Sequence, residues 1–130
     1  MAFELVGRQR ACGARRKRGV ARIECGGRLT LHVADLEAVA VTDRCVILAC
    51  SETQRLAIRA PRRSDTLTWS VYRRRRQERG NFVRSICCKG AVLASGAAWE
   101  DAEGRWYSVS VDTVDGAQAL VIDLSQGFET

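Results

Sequence analysis

GGRLTLHVADLEAVAVTDRCVILACSETQRLAIR, running from Gly26 to Arg59, is the stretch from which the fold is read. Arg28, Thr30 and His32 alternate with Leu29, Leu31 and Val33, the period-2 pattern of a half-buried strand. The period then changes over 34–41, where Leu36 and Val39 stand three apart, as one face of a short helix requires. Arg44 to Ala49 is a β-branched apolar run holding Val46, Ile47 and Leu48, and Arg55 to Arg59 alternates again. Ser51 to Gln54 is the expected hairpin turn between them. The unit is therefore strand, short helix, strand, turn, strand.

Working outward, Val20 to Glu24 alternates and predicts a strand, with Gly26 and Gly27 turning the chain into the central stretch. Pro61 ends the unit, since proline donates nothing to a ladder. Thr66 to Tyr72 predicts a strand with Leu67, Trp69 and Val71 on one face. Asn81 to Cys88 predicts another, followed by a Lys89-Gly90 turn and a short strand over Ala91 to Ala94. Ala97 to Ala102 predicts a brief helix ended by Gly104. Arg105 to Thr113 alternates, Asp115-Gly116 is a hairpin signal, and Ala119 to Leu124 is the last expected strand.

The two halves show the same pattern. From Arg22 and from Ser85, Cys25 falls opposite Cys88, Gly27 opposite Gly90, Leu29 and Leu31 near Val92 and Ala94, and Leu56 to Ile58 near Leu120 to Ile122. A unit too small to bury its own face pairs with a neighbour. The expected organisation is a basic arm over 1–19 and one domain over 20–124, made of repeats 20–61 and 81–124 joined by 62–80. The expected fold class is α+β, mostly β: two related strand-helix-strand-strand halves packed as an intramolecular pseudo-dimer in a small barrel. Leu29, Leu31, Ile47 and Ile58 are expected to face Val92, Val109, Leu120 and Ile122.

Gly27-Arg28-Leu29-Thr30-Leu31, Glu37 to Val41, Arg44 to Leu48 and Leu56 to Arg59 together resemble the swapped-hairpin regulators of the AbrB and MraZ type. His32 stands where that family has proline, and Leu36 where it has a helix arginine. The second half keeps Gly90 and the strand pattern. The resemblance implies tandem units that bind DNA through a basic strand face.

The formal net charge is +6, and Lys17 and Lys89 are the only lysines, so the cations are almost all Arg, whose planar fork suits phosphate. They cluster. Arg8, Arg10, Arg15, Arg16, Lys17 and Arg18 form one block; Arg73, Arg74, Arg75, Arg76, Arg79 and Arg84 form another. The expected function is binding of nucleic acid, duplex DNA ahead of RNA, by a small transcriptional regulator that grips phosphate with Arg15, Arg16, Lys17, Arg18, Arg73 to Arg76 and Arg79. If each cluster precedes its own repeat, the two flank one groove. Arg28 or an Arg of the 73–76 run is placed to bridge the acceptors of a guanine. The rival reading is an assembly module that forms homo-oligomers or binds an acidic partner.

No Gly-rich phosphate loop, H-E-x-x-H or G-x-S-x-G is present. Cys45 or Cys50 with His32 is the only conceivable nucleophile and base pair, but Cys50 shares the side of Val46 and Leu48, which suggests core, and no enzyme is expected. Six cysteines contain no C-x-x-C, and His32 is the only histidine, so neither a metal nor another cofactor is expected. No run approaches the roughly 18 apolar residues of a membrane span, and Arg8 and Arg10 interrupt the start of the chain, so a cytoplasmic protein without membrane contact is expected.

Overall fold

The computed structural model describes residues 18–73 and 82–128. Among them are nine strands: β1 (Val20–Ile23), β2 (Arg28–His32), β3 (Arg44–Cys50), β4 (Arg55–Arg59), β5 (Trp69–Ser70), β6 (Tyr72–Arg73), β7 (Val83–Cys87), β8 (Trp106–Val114) and β9 (Ala117–Asp123). Three short helices accompany them: α1 (Val33–Ala38), α2 (Lys89–Ala94) and α3 (Trp99–Ala102). All named pairings are antiparallel, in the order β5-β3-β4-β9-β8-β1-β2-β7-β6. The two ends of that order, β5 and β6, are separated in the chain by Val71 alone, so the sheet almost closes on itself as a barrel. Trp69 pairs with Cys45, Tyr72 pairs with Ser85, and the Val71 amide donates to the Asp43 carbonyl at 2.8 Å.

Alternation sends one side chain of every pair inward. Ile23, Leu29, Leu56, Ile58, Ile86, Tyr107 and Ile122 are completely buried, each such side chain contributing about 1.5–3 kcal/mol of transfer free energy. Ile47 and Val109 pack against this cluster. The registers His32↔Val83 and Arg28↔Cys87 place the ends of β2 and β7 on opposite rims. The helices that follow them therefore start from opposite rims, and bring Leu36 of α1 and Val92 of α2 into the core. α1 stops early because Ala40 adopts φ 61° and the Val41 amide returns to the Leu36 carbonyl at 2.9 Å. Asp115 and Gly116, at φ 51° and 78°, make the two-residue β8–β9 turn that requires left-handed backbone at both positions.

Two expectations change. Ala91 to Ala94 belongs to helix α2, not to a strand. A short apolar run carries no periodicity that separates the two, and alanine favours helix. Ala91 and Val92 are buried while Leu93 is half exposed, which is the one-sided burial of a helix. The alignment of Leu29 and Leu31 with Val92 and Ala94 therefore matches strand to helix. The expected strand over Thr66 to Tyr72 also shrinks: β5 begins only at Trp69, and Leu67 is 83% exposed. Residues 60–68 instead cross the outside of the sheet. Arg59, only 5% exposed, donates to Asp65 at 2.8 and 3.1 Å, and the Arg62 amide donates to the same carboxylate at 2.6 Å. Arg44 Nε holds the Thr68 hydroxyl at 2.6 Å.

Near the C-terminal end, Phe128 exchanges both backbone hydrogen bonds with Trp106, at 2.8 and 2.9 Å. This lays Gly127 on the buried Tyr107 ring, where an added Cβ would stand 2.8 Å from a ring carbon. Gly127→Ala should cost about 1–3 kcal/mol of overpacking, read from urea unfolding; an unchanged midpoint would show that this approach does not constrain the fold.

The Arg59 hydrogen bond is the chief cause that pulls the Asp65 carboxyl down to about 2, below the ordinary unfolded value near 3.9. A depressed folded value means that the pair stabilises the fold above the unfolded pKa and loses that contribution as pH falls through about 2. Asp65→Asn should therefore melt below the parent at pH 7, with the gap closing towards pH 2. An equal gap at both values would show that the pair does not stabilise the fold.

Candidate nucleic-acid interface

The outer face of the β1-β2-β7-β6 quarter carries the side chains that alternation turns away from the core. Cross-strand registers join them into one row: Tyr72↔Ser85, Ser85↔Thr30, Thr30↔Arg22 and Arg22↔Trp106. The row has an aromatic at either end, two small hydroxyl residues in the middle, and an arginine. Arg22 is shared between Glu24, at 3.2 Å, and the Trp106 ring, with its guanidinium carbon 5.5 Å from the ring centroid. Arg22 Nε and Thr30 Oγ1 are buried with no hydrogen-bond partner among the described residues. Beside the row, His32 packs on Phe82 with ring centroids 6.1 Å apart. Tyr72 and Phe82 are each 51% exposed.

Strand direction decides where the charge goes. β1 begins, β2 ends, β6 ends and β7 begins at one rim, because Val83 lies opposite His32 and Arg73 opposite Arg84. Arg18 therefore reaches this rim just before β1, where the following Gly19 amide donates to Asp35 Oδ2 on α1 at 2.8 Å. Arg73 reaches it at the end of β6, and Arg84 lies beside it. Burial lowers the Arg84 pKa first, the Arg73 charge next, and Glu37 opposes them. Three strand spacings separate β1 from β6, about 14 Å.

The expected site residues are thus divided. Arg18 and Arg73 share this rim. Arg28 is exposed but sits opposite Cys87 at the other end of β2, about 13 Å along the strand. Arg15, Arg16, Lys17, Arg74, Arg75, Arg76 and Arg79 lie outside the described residues. Arg22, His32 and Phe82 were not expected in an interface. Period-2 alternation puts Arg22 and His32 on an outer face, but nothing in the sequence states which strand lies next to which, and only the register brings Arg22 to Trp106.

At the Trp106 end the row opens into a polar cleft of about 670 Å³ walled by Glu100, Asp101 and Glu103. Arg22 and Arg105 line the same cleft, so both signs of charge meet there. Among the described residues no cluster of histidine, cysteine and carboxylate side chains has the arrangement to hold a metal ion. No described helix is long and apolar enough to cross a membrane.

His32 and the cysteines have structural partners. His32 Nδ1 accepts the Ala34 amide at 3.0 Å and caps α1. Cys45 and Cys88 are completely buried, and burial pushes both thiols up to about 12. Cys50 is exposed, and its hydrogen bond with Thr53 is the main cause that lowers its pKa. Iodoacetamide at neutral pH should therefore modify Cys50 readily while Cys45 and Cys88 stay unmodified until the protein is unfolded. Mass spectrometry of the native protein showing Cys45 or Cys88 alkylated as fast as Cys50 would contradict this packing.

No family model, curated protein or solved structure matches the chain, so the character of this surface rests on its own geometry.

Proposed function

We propose that the protein binds nucleic acid, duplex DNA ahead of RNA, as a small regulator whose two halves are related as an intramolecular pseudo-dimer. The observation that supports the binding reading is that Arg18 and Arg73, the described ends of the two basic runs, reach one rim. The 8–18 block ends at Arg18 beside β1; the 73–79 block leaves from Arg73 on β6, and the chain returns at Phe82 before β7. A net charge of +6 releases counterions when it meets a phosphate backbone.

The pairing pattern supports the pseudo-dimer. β1 is paired on both sides, to β2 and β8; the Trp69–Arg73 segment is likewise paired on both sides, to β7 and β3. The β2–β7 register is symmetric about Thr30↔Ser85, and β4–β9 about Ala57↔Val121. An exchange of hairpins between halves is also what the resemblance to swapped-hairpin regulators implies. On this arrangement the second half starts at β5. The 73–79 block then corresponds in sequence to the Glu24–Gly27 turn and not to the N-terminal arm.

Changing Arg73 to Arg76 together to alanine should weaken binding to all sequences alike and flatten the salt dependence by up to roughly one unit for each phosphate no longer gripped. The measurement is fluorescence anisotropy with labelled DNA at two salt concentrations. Unchanged affinity and slope would make the run a solvated hairpin turn.

A further inference from the structure

We infer that residues 60–68 are a strap with a second, closed position, in which Thr66, Leu67 and Thr68 extend β5 along the edge of β3 and fill the groove beside it. β5 pairs with β3 only through Ser70 and Trp69, opposite Arg44 and Cys45. Beyond Cys45, β3 runs on to Cys50 with no strand on that side among the described residues. The groove along this edge holds about 590 Å³ and is lined by Val46, Ile47 and Leu48 of β3 and by Asp65, Leu67 and Trp69. The segment after α2 approaches β3 past its end, where an added Cβ on Gly96 would stand 3.7 Å from the Ser51 carbonyl oxygen, and no α2 residue lines the groove.

The other side of the barrel shows the ladder that β5 lacks. The Ile23 amide donates to the Arg105 carbonyl as the Val71 amide donates to that of Asp43, and Ala21 pairs with Tyr107 as Trp69 pairs with Cys45. There the ladder continues: Val20 pairs with Ser108, and the Val109 amide donates to the Gly19 carbonyl at 2.8 Å. The matching bond, from the Ile47 amide to the Leu67 carbonyl, is not formed. In the closed position Thr68 lies opposite Val46, Leu67 opposite Ile47 and Thr66 opposite Leu48. Alternation then gives Leu67 the inward parity of Trp69, which packs against the core, so a leucine that is 83% exposed leaves water. The latch is Asp65. Arg59 faces outward on β4, opposite Val46, and holds the Asp65 carboxylate at 2.8 and 3.1 Å, with the Arg62 amide on the same carboxylate. In the closed register Asp65 falls opposite Ala49, on the inward parity and about 14 Å from Arg59 between α-carbons, two strand spacings across and three residues along. The ion pair and the ladder exclude one another, so the strap has two discrete positions and the pair selects the open one.

Native-state amide exchange at Ile47, read by NMR on the full chain without nucleic acid, tests this. In the parent the Ile47 amide should exchange fast. Asp65→Ala frees the strap, and a closed population of about nine in ten slows Ile47 exchange roughly tenfold. Adding Leu67→Asp to that variant, which sets a charge where the closed form buries leucine, should return the fast rate. A strap that is merely loosened would leave Ile47 as fast as in the parent, or faster, in both variants. Asp65→Asn, which keeps the shape of the side chain, is read in the same way where Asp65→Ala fails to fold. Ile47 exchange at the parent rate in a folded Asp65 variant, a slowing that survives Leu67→Asp, or an Ile47 amide already protected in the parent overturns the closed position.

Discussion

Closure of the sheet by the segment Trp69 to Arg73 is the constraint on which the other features depend. The segment pairs with β3 through Trp69 and Ser70, bends at Val71, and pairs with β7 through Tyr72 and Arg73. So short a ladder on each side is little hydrogen bonding, and each bond is worth only about 0.5–1.5 kcal/mol net. What the segment supplies is the removal of edges. Without it β3 and β7 would each present an open row of backbone donors and acceptors, the surface on which sheets aggregate. The bend also determines which residues face out. It returns Tyr72 to the outer face opposite Ser85, and it delivers Arg73 to the rim beside Arg84.

Because β2 and β7 run antiparallel, their helix-bearing ends lie on opposite rims. The backbone arrangement is close to even-handed between the rims, whereas the charge is not. The turn Glu24–Gly27 is short and carries an acid; the chain between Arg73 and Phe82 is long and rich in arginine. The carboxylates of α3 then line the far end of the outer row. Charge in the sequence is thus distributed unevenly between the connections of the barrel.

Much of the strand content was legible in the sequence because it rests on local chemistry. Arg28 to His32 and Arg55 to Arg59 alternate, Asp115-Gly116 suits only a tight turn, and the inward residues of these strands form the core. What failed needed long-range information. Ala91 to Ala94 has no period to distinguish strand from helix, and its partners decided the matter. Thr66 to Thr68 alternates well enough for a strand, but Asp65 is held by Arg59 and Thr68 by Arg44, so the segment is drawn across the sheet. The interface was legible as charge and not as shape. Arg18 and Arg73 could be chosen from clustering, while the row from Tyr72 to Trp106 depends on four registers that no single strand encodes.

The same registers explain why the outer row divides its work. Arg22 is committed at the Trp106 end, held between Glu24 and the indole ring, and its charge is partly neutralised. At the other end the strands beside Tyr72 and Phe82 set short or occupied side chains against them: Ser85 and Thr30 are small, and His32 is turned to cap α1 through Nδ1. Exposed aromatic surface costs free energy in water at about 25 cal/mol per Å² of apolar area, a cost that burial in the core would have avoided. That cost is not confined to one end of the row: Phe128, paired with Trp106 beside the cleft of Glu100, Asp101 and Glu103, is exposed as well, and Leu67 and Leu93 are more exposed than either ring.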